Sequence, residues 1–147
     1  MTRPPAEPKL EFFAPRPGPP LPLPLVSPRV AAGFPSPAED YLEGSIDLNR
    51  ELVKRPAATF LVRVSGASMR DAGIDDGDVL VVDKSLPPAS GRIAVCCLDG
   101  SFTLKRIRAD ERGLWLVPAN DAFAPIPVNP DNEFAVWGIV TYVIKKM

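Results

Sequence analysis

The stretch Arg92-Ile93-Ala94-Val95-Cys96-Cys97-Leu98-Asp99-Gly100-Ser101-Phe102-Thr103-Leu104-Lys105-Arg106-Ile107 decides the fold. Two apolar runs flank Asp99-Gly100, a dipeptide that accepts the positive φ angles of a two-residue hairpin turn. Residues 92–98 and 101–107 are therefore expected to pair antiparallel. Side chains alternate across a strand, so Thr103, Lys105 and Ile107 share one face while Phe102, Leu104 and Arg106 share the other. Cys96 and Cys97, the two cysteines of the chain, point to opposite faces and are poorly placed to pair with each other. They read as small buried hydrophobes.

The same texture extends on both sides of the hairpin. Phe60–Val64, Val79–Val82, Leu114–Val117 and Phe134–Ile144 are further strand candidates. Asp76-Gly77, Pro87-Pro88, Arg112-Gly113 and Asn129-Pro130 mark turns between candidate strands. The expected fold is mostly β: a compact, antiparallel, barrel-like domain over residues 59–147. Residues 33–58 form a connecting segment. In it, Ser36-Pro37-Ala38-Glu39 has the N-cap, first-turn proline and acidic residue of a short helix running through about Leu42. Ile46, Leu48 and Leu52 suggest another helical turn or two before Pro56. Residues 1–32 are read as an extended, flexible, Pro-rich arm. Twelve of the 19 prolines lie in residues 1–37. Pro15–Pro24 in particular can form neither a helix nor a central strand, because each proline fixes φ and removes an N–H donor.

Charge is balanced, with 17 basic and 18 acidic residues, and no basic field recommends nucleic acid as a direct ligand. No apolar run approaches the roughly 20 residues of a membrane span, and the start lacks the apolar centre of a signal peptide. A cytoplasmic protein is expected. With two cysteines and no histidine, neither a structural zinc site nor any other metal or cofactor is expected.

The absence of histidine also excludes a Ser-His-Asp triad within the chain. Ser68, in Val64-Ser65-Gly66-Ala67-Ser68-Met69, follows a strand and precedes a possible helical turn. It reads either as the N-cap of that turn or as a nucleophile. The amides of Ala67 and Ser68 at such a terminus would suit an oxyanion. A nucleophile here needs a lysine or carboxylate as its base. Of the six lysines, Lys105 is the best placed. Either its stem covers apolar surface while its amine reaches water, or the amine is held among apolar neighbours, where desolvation favours the neutral, basic form.

Several of these segments, taken in order, resemble the LexA/UmuD family of self-cleaving Ser-Lys proteins. They are Val64-Ser65-Gly66-Ala67-Ser68-Met69, Gly73-Ile74-Asp75-Asp76-Gly77-Asp78, Gly100–Arg106, Pro118-Ala119-Asn120 and Pro125-Ile126. Ser68 and Lys105 stand 37 residues apart, in agreement with the family. Ala32-Gly33-Phe34-Pro35-Ser36-Pro37-Ala38-Glu39-Asp40-Tyr41 and Ile46-Asp47-Leu48-Asn49 resemble the UmuD branch.

The resemblance implies a serine endopeptidase in which Lys105 is the base, Ser68 the nucleophile and Ala32-Gly33 the scissile bond. It also implies a homodimer, stimulation by the RecA filament on single-stranded DNA in the SOS response, and a processed form that serves the catalytic subunit of translesion DNA polymerase V. No helix-turn-helix pattern precedes Gly33, so sequence-specific duplex binding of the LexA kind is not expected. Outside the resemblance, the alternatives are a non-catalytic module binding through its Pro-rich arm, a truncated repressor, and a signal peptidase, which the lack of a membrane anchor disfavours.

Overall fold

The computed structural model describes residues 9–16, 18–26, 42–67, 69–120, 122, 124–129, 131 and 133–147. Among them the chain forms two compact units, residues 16–54 and residues 1–15 with 55–147.

The smaller unit pairs β2 (Pro22–Val26) antiparallel with β3 (Leu42–Asp47). Helix α1 (Leu48–Leu52) follows, with the Asp47 side chain accepting from the Asn49 amide at 3.1 Å as its N-cap. Pro22 and Pro24 fit a strand that has a neighbour on one side only. Ile46, expected in the helix, belongs to β3, and Leu42, expected to end an earlier helix, opens β3. The start of that earlier helix at Ser36 lies outside the described residues.

The larger unit is one curled, half-barrel antiparallel sheet. Its strands are β1 (Lys9–Phe13), β4 (Thr59–Ser65), β5 (Val79–Asp83), β6 (Ile93–Leu98), β7 (Ser101–Asp110), β8 (Gly113–Val117), β9 (Ile126–Val128) and β10 (Phe134–Ile144), in the spatial order β1-β4-β5-β10-β6-β7-β8-β9. The hairpin read from Asp99-Gly100 is present, with Leu98 opposite Ser101 and Ala94 opposite Lys105. Asp99 (φ 49°) and Gly100 (φ 82°) both adopt the positive φ that this turn requires. The larger unit differs from the sequence reading at two strands: β9 is not among the candidates, and Lys9–Phe13, assigned to the flexible arm, is a sheet strand paired with β4. The reason for the second is local. This pentapeptide contains no proline and alternates charged and apolar residues before Phe13, so it offers every backbone donor a strand needs.

The core has two parts. Val62, Val64, Met69, Ile74, Leu80, Val82, Val95 and Leu104 form one cluster; Ala94, Cys96, Ile107, Leu116 and Ile139 form the other. Alternation explains the division: Val95 and Leu104 lie opposite each other and join the first cluster, while Cys96, next to Val95, and Ile107, three residues beyond Leu104, face the other way and join the second. Strand β10 crosses the middle of the sheet with a bulge against β6 between Val136 and Gly138. The bulge turns Trp137 outward into an aromatic group with Phe12, Phe60 and Phe102. Glycine is required beside it, since a Cβ on Gly138 would lie 2.6 Å from Val82 Cγ1. Gly138→Ala should therefore lower unfolding stability by about 1–3 kcal/mol, as measured by urea denaturation. An unchanged midpoint would mean that the bulge relaxes freely.

Candidate functional site

Strand register carries Lys105 to the centre of the sheet. It is flanked by Leu104, fully buried in the first core cluster, and lies opposite Ala94, fully buried in the second. The whole side chain of Lys105 is 1% exposed, the largest among the fully buried side chains described. Its Nζ donates to Thr103 Oγ1 at 2.6 Å, two residues away on the same face. The reading in which the amine reaches water along an apolar stem is thus overturned. Buried lysines are rare, and each must have its donors met inside the protein. The other described lysines behave differently: Lys84 lies over the Trp137 ring at 4.9 Å, and Lys145 pairs with carboxylates.

The segment leading to Ser68 is fixed from three directions. The Gly66 amide donates to Asp76 Oδ1 at 2.9 Å. The Ala67 carbonyl accepts from Asn120 Nδ2 at 2.6 Å. Beyond it, Met69 is buried in the same core cluster as Leu104, and its carbonyl accepts from the Ile74 amide at 3.2 Å. A short 3-10 turn, Arg70–Ala72, follows. Its N-cap position falls on Met69, which makes no side-chain cap bond. Ser68, Ala32 and Gly33 themselves lie outside the described residues, whereas Ala67 and Lys105 are described.

Two supports of this segment were not assigned a role from sequence. Asn120 is 4% exposed; besides donating to Ala67, its Oδ1 accepts from the Ala122 amide at 3.0 Å. Beside it, the Ala119 carbonyl accepts from the Asp71 amide at 2.6 Å. The run Pro118-Ala119-Asn120 therefore braces both sides of position 68, a long-range contact that only its place in the quoted motif order could have signalled. The second support is Lys145 at the end of β10. Its Nζ lies 2.6 Å from both Asp75 Oδ2 and Asp78 Oδ2. Hydrogen bonds to Asp75 and then Asp78 raise its pKa above 10.5, so the clamp is charged at neutral pH. This ties the turn carrying Asp76 to the end of β10, while the Val64 amide donates to the Asp78 carbonyl and the Gly77 amide to the Val64 carbonyl, holding the turn against β4.

Cys96 is no competing nucleophile. Burial foremost pushes its thiol up to about 12, so it stays a protonated core residue. Among the described residues there is no cluster of three or more His, Cys, Asp or Glu side chains fit for a metal, and no helix long and apolar enough to cross a membrane. Asn120→Ala should leave the Ala67 carbonyl without its side-chain donor and cost about 1–3 kcal/mol. Asn120→Asp, which places an acceptor against that carbonyl, should cost at least as much. Thermal unfolding of both variants checks this, and wild-type stability in Asn120→Asp would remove the brace from the account.

Residues 24–141 match the Peptidase S24-like family. The chain is 45% identical over 121 residues to protein MucA of Salmonella typhimurium, covering 82% of each chain. It is 45% identical over 123 residues to protein SamA of Salmonella typhimurium strain LT2, covering 84% of this chain and 85% of SamA. It is also 41% identical over 126 residues to the LexA repressor of Acidithiobacillus ferrooxidans, covering 84% of this chain and 60% of the repressor. The chain belongs to the Peptidase S24-like family of self-cleaving serine peptidases, and within it to the UmuD-like SOS mutagenesis proteins.

Proposed function

We propose that the chain cuts its own Ala32-Gly33 bond with a Ser68-Lys105 dyad. The observation that carries the reading is the complete burial of Lys105 with its amine against Thr103. A lysine sequestered in this way gains nothing as a surface charge but serves well as a base in a dry site. Met69 and Leu104, the chain neighbours of the two residues, belong to one buried cluster, so the two backbone segments pack into the same core.

In the proposed reaction the neutral Lys105 amine takes the Ser68 hydroxyl proton as Oγ attacks the Ala32 carbonyl carbon. The amides of Ala67 and Ser68 hold the oxyanion. Because the peptide unit is planar, anchoring the Ala67 carbonyl to Asn120 restricts the plane that carries the Ser68 amide. The tetrahedral intermediate collapses with the proton passing from Lys105 to the Gly33 nitrogen, leaving an ester between Ala32 and Ser68. Water then hydrolyses that ester, again with Lys105 as base. The products are residues 1–32 and residues 33–147. No cofactor takes part.

By its family, the chain acts in the cytoplasm as a homodimer. Its cleavage is stimulated by the RecA filament on single-stranded DNA, and residues 33–147 serve as accessory subunit to the catalytic subunit of polymerase V in error-prone translesion synthesis.

Mass analysis of the purified chain incubated with activated RecA filaments tests the reading. A new N-terminus at Gly33 is expected, absent in Ser68→Ala. Lys105→Met keeps the volume and removes the charge, so it should fold at least as stably as wild type yet cleave about 10²–10⁴-fold more slowly. A wild-type rate in folded Lys105→Met, or cleavage at another bond, would overturn the dyad or its target.

A further inference from the structure

Strand β4 has two neighbours, β5 and β1. The β1 pairing runs in register from Lys9 opposite Ser65 to Phe13 opposite Leu61. It is chemically specific on both faces. On one face Leu10 packs against the first core cluster, and the Phe12 ring lies 5.7 Å from Phe60, 5.1 Å from Phe102 and 5.9 Å from Trp137. On the other, Glu11 stands opposite Arg63, whose guanidinium lies 5.5 Å from the Phe13 ring centroid.

Without β1, β4 would be a sheet edge of an unusual kind. Natural edges are kept short or carry lysine, proline or bulges that deter pairing. The opposite edge, β9, is three residues long and contains Pro127. Strand β4 is seven residues, Thr59-Phe60-Leu61-Val62-Arg63-Val64-Ser65, with no proline, no lysine and one charge. It also borders an aromatic surface, where Phe102 and Trp137 are 38% and 40% exposed even with Phe12 in place.

We propose that the outer edge of β4 is a strand-addition site, covered by β1 in the intact chain and opened by processing for an extended segment of another protein. The opening rests on the cleavage proposed above; the site does not. Residues 9–13 lie on the N-terminal side of Ala32-Gly33. Once that bond is cut, β1 has no covalent link to the rest of the sheet and is held by its five-residue pairing with β4 and the packing of Leu10 and Phe12, together with β2 on β3. The tether that kept β1 at an effective concentration of order millimolar is lost. Every processed copy has lost residues 9–13, so a second processed copy cannot supply this strand. The chemistry of β1 defines the occupant: an antiparallel segment with an apolar residue, a carboxylate and an aromatic residue in succession. Main-chain bonds would give affinity, and the aromatic pocket and Arg63 would give specificity.

The test uses full-length Ser68→Ala chains, which do not depend on self-cleavage. Leu10→Asp with Phe12→Asp is added to undock β1, and Phe12→Ala alone serves as a milder variant. The probe is a fluorescein-labelled synthetic peptide of residues 7–15. The undocked chain should bind it at least tenfold more tightly than the chain with β1 intact, with Phe12→Ala between them. The amides of β4 that face β1 should lose hydrogen-exchange protection on undocking and regain it with peptide. A peptide carrying both aspartate substitutions should not bind. Wild-type chain processed to residues 33–147 should bind like the undocked variant. Equal binding by docked and undocked chains, no binding by either, or self-pairing of undocked chains in place of peptide capture would overturn the proposal. An unprocessed wild type would instead count against the cleavage reading and leave the Ser68→Ala comparison to decide the edge.

Discussion

The structure depends on the register of one hairpin. Asp99-Gly100 closes β6 on β7 so that Ala94 faces Lys105 and Val95 faces Leu104. A slip of one residue would move every side chain of β7 to the other face. Lys105 would then exchange faces with Leu104, and both core clusters would lose a member. Burying a lysine amine is costly unless its polar groups are met inside the protein, and this fold places the Lys105 amine there, 2.6 Å from the Thr103 hydroxyl. Such an expense in a sheet otherwise built of valine, leucine and isoleucine is understood most simply as chemistry at that amine.

The second half of the site is built by convergence. Strand β4 delivers Gly66 and Ala67, and groups distant in sequence hold them: Asp76 from the next turn, and Asn120 from the segment after β8. The Asp75–Asp78 turn is in turn tied to Lys145 at the chain's C-terminal end. These bonds, several of them to charged side chains, hold the backbone groups of the segment in fixed directions, which is what the proposed cleavage requires of it. The same strand that delivers this segment receives β1, with Lys9 opposite Ser65. The proposed cleavage chemistry and the proposed strand-addition edge thus meet on β4.

Much of this was legible in the residues. Six strands could be read from apolar runs and turn signals, and the parity of Thr103, Lys105 and Ile107 followed from alternation alone. What escaped notice has physical reasons. Strand β1 is five residues beside proline-rich flanks, so the composition of its surroundings masked its own pattern. Strand β3, Leu42-Glu43-Gly44-Ser45-Ile46-Asp47, has poor intrinsic strand propensity and is defined by its pairing with β2. The bond from Asn120 to Ala67 spans 53 residues, beyond the reach of any local pattern. The burial of Lys105 needed the sheet on both sides of β7, because alternation assigns a face but does not say how dry that face is.

The central claim is that the buried amine of Lys105 is the base. The direct measurement is the first-order rate of spontaneous self-cleavage in Lys105→Arg, with circular dichroism confirming the fold. A guanidinium keeps the positive charge but does not give up its proton, so cleavage should slow by about 10²-fold or more. A wild-type rate in the folded variant would contradict the claim.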